Sequence, residues 1–228
     1  MSFYSGVEEA IAYEFKDKNL LEMALTHSSY ANENRLPHFS DNERLEFLGD
    51  AVLELMSSEF LYLNFPELPE GDLSKMRAAL VCEPTLANVA RKLSLGEHIR
   101  LSHGEQVNGG GARDSILSDA MEALLGAMYL DGAKADCKRL IESYILVDIE
   151  KRFLQFDSKT RLQELVQGAH TGALSYILVA EEGPDHDKTF TMEVHLDERC
   201  IGRGSGSSKK SAQQEAAYQG LLFLKGNR

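Results

Sequence analysis

The chain has few cysteines and no long apolar stretch. Its three cysteines, Cys82, Cys137 and Cys200, are far apart, odd in number and without the close spacing of zinc ligands. We therefore expect reduced thiols in a cytoplasmic protein. No apolar run approaches about 18 residues, and no basic segment followed by an apolar one opens the chain. Neither a membrane span nor a secretory leader is expected.

Positive charge is also scarce. The 228 residues include 24 Lys and Arg against 36 Asp and Glu, a formal net charge of −12, which disfavours contact with polyphosphates. The imbalance is uneven, since residues 1–153 carry 15 basic against 26 acidic side chains and residues 154–228 carry 9 against 10. If nucleic acid is a partner, the second part should make most of the contacts, and salt should weaken binding strongly.

Two predicted helices carry several acidic residues on one face, where like charges do not stabilise a helix. In residues 42–53 the acids Glu43, Glu46 and Asp50 follow one another at spacings of three and four, which places them on one face of a helix. These acids can be an ordinary solvated face, because charged residues usually occupy the exposed side of an amphipathic helix. The alternative is that they bind a cation.

A second helix favours the cation. Residues 116–130 are apolar nearly all round, so the pattern predicts a buried helix in which Asp119 and Glu122, three apart, are the ionisable groups. Buried carboxylates need a partner because desolvation of an unpaired charge is costly. A divalent cation with oxygen ligands, held between the two helices, satisfies them and is a usual way to build a phosphoryl-transfer site.

The first part of the chain reads as helices joined by short turns. After Pro66 and Pro69, Asp72 or Ser74 is expected to cap the next helix. An amphipathic helix over residues 143–154 is expected to close this part. His27 is expected to have a structural role at a helix end rather than a catalytic one.

Four separated segments resemble ribonuclease III, the family of endonucleases that cleave double-stranded RNA. Residues 42–50, Asn-Glu-Arg-Leu-Glu-Phe-Leu-Gly-Asp, are similar to its signature, and residues 20–30, 70–78 and the Asp119/Glu122 helix match in order. The resemblance implies a homodimer whose two nuclease domains form a valley for duplex RNA. It also implies Mg²⁺, for which Mn²⁺ can substitute, and a set of site residues. The catalytic acids are Glu46, Asp50, Asp119 and Glu122, the metal ligands among them are Glu46, Asp119 and Glu122, the accessory acids are Glu43 and Glu70, and the dimer contact is Phe47.

The second part of the chain predicts a small α+β domain. In residues 154–228 the spacing of apolar residues follows the helical period in some segments and the alternation of strands in others. The expected order is a helix over 160–167, strands over 175–180, 190–196 and 199–204, and a helix over 209–224. This αβββα order resembles a double-stranded RNA-binding domain. The resemblance implies RNA contacts by Gln163, Gln167, His186, Ser208, Lys209 and Lys210.

The expected architecture is an all-α nuclease domain followed by an αβββα RNA-binding domain. The boundaries are residues 1–153 for the nuclease domain, 154–158 for a linker and 159–228 for the RNA-binding domain. The expected function is magnesium-dependent cleavage of double-stranded RNA in rRNA and mRNA processing and decay, leaving 5′-phosphate and 3′-hydroxyl ends with short 3′ overhangs. Two alternatives stay open: a regulator that binds duplex RNA without cutting it, and a metal-dependent hydrolase of small phosphoesters.

Overall fold

The chain forms two compact units, residues 1–147 and 148–228. The structure, a computed structural model, describes residues 4–149, 158–169, 172–184 and 188–226. The predicted linker over 154–158 therefore lies outside the described residues except for Ser158, which already belongs to a helix.

The first unit is helical, as predicted. Its described helices are α1 (Ser5–Ile11), α2 (Lys18–Ala24), α3 (Ser28–Glu33), α4 (Glu43–Asn64), α5 (Glu70–Leu80), α6 (Glu83–Lys92), α7 (His103–Val107), α8 (Asp114–Leu130) and α9 (Lys134–Leu140). Short 3₁₀ turns cover Leu95–Glu97 and Gly110–Ala112, and a π turn over Ile141–Ile145 continues α9.

Helix α8 is the centre of this unit because its sequence is apolar on every side. Most of its residues are buried, and α4, α6 and α2 pack around it. Between Ile116 and Met128 the half-buried exceptions are Asp119 and Glu122, the two ionisable groups that the sequence placed in the middle of this helix. A helix of this composition is stable only inside a core, since it has no polar face to present to water.

Two glycines allow α4 and α8 to touch backbone to backbone. A Cβ atom added to Gly49 would lie 1.8 Å from the carbonyl oxygen of Glu122, and one added to Gly126 would lie 2.3 Å from the carbonyl oxygen of Leu45. No side chain fits at either position. The close crossing brings the acids that flank Gly49 next to Glu122.

Two predictions about helix ends are wrong. Helix α5 begins at Glu70 with Pro69 as its N-cap, so neither Asp72 nor Ser74 caps it. Proline at this position sets the extended backbone that precedes a helix, which starts the helix earlier than a polar cap would. The expected closing helix over 143–154 is wrong as a continuous helix, because the π turn ends at Ile145 and a bend covers residues 146–148 before Ile149 is helical again. Residues 150–154 lie outside the described residues.

The second unit confirms the αβββα order. Helix α10 (Ser158–Ala169) is followed by the antiparallel strands β1 (Leu174–Glu182), β2 (Thr189–Leu196) and β3 (Arg199–Gly206), and then by helix α11 (Lys209–Gly226). The sheet order is β1-β2-β3. As the alternation in β2 predicted, Met192 and Val194 are buried against the helices.

Glycines on β3 bring the alanine-rich face of α11 close to the sheet. A Cβ atom on Gly202 or Gly204 would lie 2.3 Å from the backbone of Ala216. The hydroxyl of Ser208 accepts a hydrogen bond of 3.1 Å from the backbone N–H of Ser211, so Ser208 is the N-cap of α11. No helix in the described ranges is long and apolar enough to cross a membrane.

Candidate active site

The predicted acids of α4 and α8 meet at the glycine crossing. Glu46 and Asp50 lie one turn apart on α4, on either side of Gly49, and Glu122 is the residue of α8 whose carbonyl faces that glycine. The spacing of three and four along each helix keeps the carboxylates on the facing sides. Residues that are more than 70 positions apart in the chain thus form one acidic cluster.

The charge of the cluster is visible in the protonation of Glu122. Burial and then the charges of Asp50, Glu46 and Asp119 raise the pKa of Glu122 to about 8. Without a cation, this side chain therefore holds a proton at neutral pH for most of the time. A carboxyl group whose pKa is raised this far by burial and by neighbouring charges is typical of a functional site.

Glu46 experiences the same field. Burial raises the pKa of Glu46, and the charges of Asp119, Glu43 and Asp50 add to the effect. Glu43, in the first turn of α4, is exposed and acts on the cluster through this charge. The structure therefore places Glu43 close enough to the predicted catalytic acids for its charge to act on Glu46.

Asp119 has a different set of neighbours. Burial raises its pKa, the hydroxyl of Ser118 and the charge of His27 lower it, and the charge of Glu83 raises it. Ser118 lies with its Oγ 3.4 Å from Oδ1 of Asp119. Sequence reasoning missed Glu83, the first residue of α6, because no pattern in the chain connects it with α8.

His27 has the structural role that was expected. Its Nδ1 accepts a hydrogen bond of 3.2 Å from the backbone N–H of Ser29 and lies 2.8 Å from the Ser29 hydroxyl, so it caps α3. One ring nitrogen is therefore occupied by the cap. The same ring is close enough to Asp119 for its charge to act on that carboxylate.

Glu70 stands apart from the cluster. Its Oε1 accepts a hydrogen bond of 2.8 Å from the Ser74 hydroxyl, and it lines a groove of about 260 Å³ with Tyr62 and Arg77. Glu70 is not among the charges that shift the pKa of Glu46, Asp119 or Glu122. Arg77 instead links this groove to α4, since it pairs with Glu54 and donates to Ser58.

The donor set of the cluster fits a hard divalent cation. Four carboxylates offer oxygen ligands, which Mg²⁺ and Mn²⁺ prefer, and the pKa is raised in three of them, Glu46, Asp119 and Glu122. In the described part of the chain, no three of these acids bring ligand oxygens within 4.8 Å of one another. The charges of these acids act unfavourably on one another, and a bound cation would offset that repulsion.

The exposed side of α4 carries apolar residues. Phe47 is 81% exposed, and Leu55 and Tyr62 follow on the same side of the helix at 66% and 72%. These positions recur at spacings of eight and seven residues, so they form one stripe. The structure thus places the side chain of Phe47 on the surface of the unit, where it points away from the core.

The predicted RNA contacts of the second unit lie on its helices. Gln163 and Gln167 are exposed on α10, where they line a groove of about 370 Å³ with Lys159 and Tyr176. Lys209 and Lys210 are exposed in the first turn of α11, next to the cap residue Ser208. His186, the remaining predicted contact, lies outside the described residues.

Comparisons with known proteins agree with this architecture. A family described as ribonuclease-III-like matches residues 17–149, and the double-stranded RNA binding motif matches residues 158–224. Ribonuclease 3 of Caldanaerobacter subterraneus is 52% identical over 221 residues, covering 96% of each chain. Ribonuclease 3 of Enterococcus faecalis is 50% identical over 220 residues with the same coverage.

A solved structure supports the helical unit in particular. The nuclease domain of ribonuclease III from Campylobacter jejuni is 47% identical, with a TM-score of 0.57, and covers 63% of this chain and 99% of its own. A helical unit with an acidic cluster, joined to a double-stranded RNA-binding domain, defines an endoribonuclease. The chain belongs to the ribonuclease III family.

Proposed function

We propose that this protein is a magnesium-dependent endonuclease that cleaves double-stranded RNA. The observation that carries the proposal is the convergence of Glu46, Asp50, Asp119 and Glu122 at the α4–α8 crossing, where burial and the charges of the other three acids raise the pKa of Glu122 to about 8. Such a cluster is unfavourable for the empty protein and useful to one that holds a cation near phosphate.

Each acid has a proposed role. Glu46, Asp119 and Glu122 would hold the cation with their carboxylate oxygens, and Glu122 must first release its proton. Asp50, the most exposed of the four, is positioned for contact with water and with the RNA backbone. When bound, Mg²⁺, or Mn²⁺ in its place, would supply Lewis acidity to the phosphate and to the water that attacks it.

The proposed reaction is hydrolysis of a phosphodiester. The oxygen of water forms a bond to phosphorus in line with the 3′ oxygen, and the bond between phosphorus and that 3′ oxygen breaks. The attacking water loses one proton to solvent, and the released 3′ oxygen takes up one. The products carry 5′-phosphate and 3′-hydroxyl ends. The half-buried position of Glu122 and Asp119 limits bulk water around the reacting phosphate, which strengthens the electrostatic contribution of the acids.

A homodimer is proposed to provide two cutting sites. The exposed apolar stripe of α4, with Phe47, Leu55 and Tyr62, is the surface that supports it, since a monomer gains nothing from exposing these side chains. The Campylobacter jejuni nuclease domain has a region involved in dimer formation. Two sites that each cut one strand would leave short 3′ overhangs.

The second unit is proposed to hold the duplex. Gln163 and Gln167 on α10 are suited to 2′-hydroxyl groups in a minor groove, and Lys209 and Lys210 at the positive end of α11 are suited to phosphates. The cellular role is proposed to be rRNA and mRNA processing and decay in the cytoplasm.

One cleavage assay tests the proposal. A long RNA duplex is incubated with the pure protein, with and without Mg²⁺, and the products are sized and their ends tested with a phosphatase and an RNA ligase. Short duplexes with 5′-phosphates, formed only with Mg²⁺, are expected. Binding without products would favour the non-cleaving regulator, and hydrolysis of a small phosphoester but not of duplex RNA would favour the other alternative.

A further inference from the structure

A second group of metal-ligating side chains lies in the RNA-binding unit, outside the acidic cluster. Glu193 and His195 on β2 and Cys200 on β3 bring a carboxylate oxygen, an imidazole nitrogen and a thiol sulfur within 4.8 Å of one another. Nε2 of His195 lies 3.0 Å from Oε2 of Glu193. In the part of the chain that the structure describes, this is the one such group of three.

The sheet itself holds these three side chains together. Glu193 and His195 are two residues apart on one strand, so they project from the same face, opposite to the buried Met192 and Val194. Cys200 is the register partner of His195 on the neighbouring strand. Both strands are fixed by the backbone hydrogen bonds of the sheet.

A β-bulge determines that Cys200 is part of the group. The register shifts between Val194 and His195, because Val194 pairs with Gly202 whereas His195 pairs with Cys200. Ile201 is the extra residue, and its side chain is buried in the core. Without the bulge, His195 would lie opposite Ile201 and the sulfur would not join the other two ligands.

The exposure of the ligands suits binding from solution. The side chains of His195 and Glu193 are 18% and 24% exposed, and Cys200 is exposed. The two ligands on β2 are thus half-buried and restrained, whereas the sulfur remains accessible. The Sγ atom lies 3.6 Å from the carbonyl oxygen of Gly202, a weak contact that a metal bond would replace.

The ligand types select the metal. Thiolate, imidazole and carboxylate are the ligands of Zn²⁺, whereas Mg²⁺ and Ca²⁺ prefer oxygen alone. The ligand atoms of a tetrahedral zinc site lie roughly 3.3–3.8 Å apart for zinc–ligand bonds of about 2.0–2.3 Å. The separation of 3.0 Å between Nε2 of His195 and Oε2 of Glu193, and the limit of 4.8 Å that holds for all three ligand atoms, lie on either side of that range.

We propose that Glu193, His195 and Cys200 form a binding site for Zn²⁺ or a similar thiophilic divalent cation, with water in the fourth position. Binding forms bonds from the metal to the sulfur, Nε2 and a carboxylate oxygen. The thiol proton leaves to solvent, as does any proton on Nε2. The site crosslinks β2 and β3 at the bulge, on the sheet face opposite to α10 and α11, so it leaves the predicted RNA contacts on those helices accessible.

Cobalt titration of the full-length protein tests the site. Co²⁺ bound to a thiolate gives a sulfur-to-metal charge-transfer band in the near ultraviolet, and Co²⁺ bound to the carboxylates of the acidic cluster does not. We expect one such band per chain, removed by Zn²⁺ and retained in excess Mg²⁺. Cys200→Ser should abolish the band, and His195→Asn and Glu193→Gln should each weaken cobalt binding at this site by about tenfold or more.

Two matched variants serve as controls. Cys82→Ser removes a thiol in the other unit, and Glu198→Gln removes an exposed acid in the β2–β3 turn, so both should leave the band unchanged. As a second readout, Zn²⁺ should slow alkylation of Cys200 by iodoacetamide about tenfold or more in the parent but not in His195→Asn.

Several results would overturn the site. They are absence of the band in the folded parent, a band that survives Cys200→Ser, or cobalt affinity unchanged in both His195→Asn and Glu193→Gln. Circular dichroism of each variant verifies that the αβββα unit is folded, which is expected because all three side chains project from the surface of the sheet.

Discussion

Replacement of Glu122 by glutamine separates the proposed chemistry from the fold. The two side chains are nearly the same size, so packing around α8 should survive in Glu122→Gln. The substitution removes the negative charge that a cation requires. It also removes the carboxyl group whose pKa is raised by burial and by the charge of Asp50. We expect an intact fold, intact RNA binding without Mg²⁺, and cleavage slower by several orders of magnitude, on the order of 10³-fold.

The stability of the metal-free protein gives a second, independent consequence. Because the folded pKa of Glu122 is raised from 4.5 to about 8, the folded state binds more protons than the unfolded state between these values. The parent should therefore lose stability as the pH rises from about 4.5 to about 8. Glutamine does not titrate, so Glu122→Gln should lack this part of the loss.

The magnitude follows from the same shift. At about 1.4 kcal/mol per pKa unit, the full shift would set an upper bound of roughly 5 kcal/mol. Glu122 is only half-buried, and solvent screening reduces this to roughly 1–2 kcal/mol. The metal-free variant should then melt roughly 2–8 °C above the metal-free parent at pH 8, and the difference should shrink toward pH 4.5.

The decisive assay is the single-turnover cleavage rate on a bound duplex in saturating Mg²⁺, combined with thermal melts in a chelator across this pH range. Glu97→Gln, an exposed acid of the same unit, is the matched control and should change neither quantity. A cleavage rate within tenfold of the parent would remove Glu122 from the catalytic set. Equal pH slopes of melting temperature in parent and variant would refute the account of the buried charge.

Three further predictions concern the other parts of the molecule. Phe47→Glu should give monomers with little activity, and an unchanged mass in light scattering would contradict the proposed interface. Removal of residues 154–228 should weaken duplex binding at physiological salt, measured by filter binding, far more than it slows cleavage at low salt, measured on gels. Equal binding by the truncated protein would show that the second unit is not the main RNA contact. Gly49→Ala should cost roughly 1–3 kcal/mol and much of the activity, because its methyl group would meet the Glu122 carbonyl. Gly71→Ala, with open space around it, should instead be neutral or slightly stabilising in urea melts, and similar losses in both variants would argue against the close crossing.

Local sequence was sufficient for the elements that depend on periodicity. The spacing of Glu43, Glu46 and Asp50 predicted one face of α4, and the all-round apolar character of residues 116–130 predicted the buried helix α8. The alternation in β2 and the alanine positions of α11 predicted the αβββα unit. These features follow from backbone geometry, because the helical period of 3.6 residues and the strand period of 2 residues can be recognised within a short segment of the chain.

Helix ends and irregular turns were predicted less well. The N-cap of α5 is Pro69 rather than Asp72 or Ser74, and a bend over residues 146–148 interrupts the helix that was expected over 143–154. Several residues near each end have similar capping ability, so small differences in packing decide where a helix starts or stops. That packing is not encoded in a short window of sequence.

Only the tertiary structure determined which residues share a site. The approach of Gly49 to the Glu122 carbonyl, the proximity of Glu83 and His27 to Asp119, and the bulge that sets Cys200 opposite His195 join residues from separate elements. Sequence placed acids on faces, but burial and distance set the pKa of Glu122, and both are properties of the packed helices. The chain by itself specified the chemical groups and the period on which they recur, whereas their mutual distances exist only once α4, α8 and the sheet are packed.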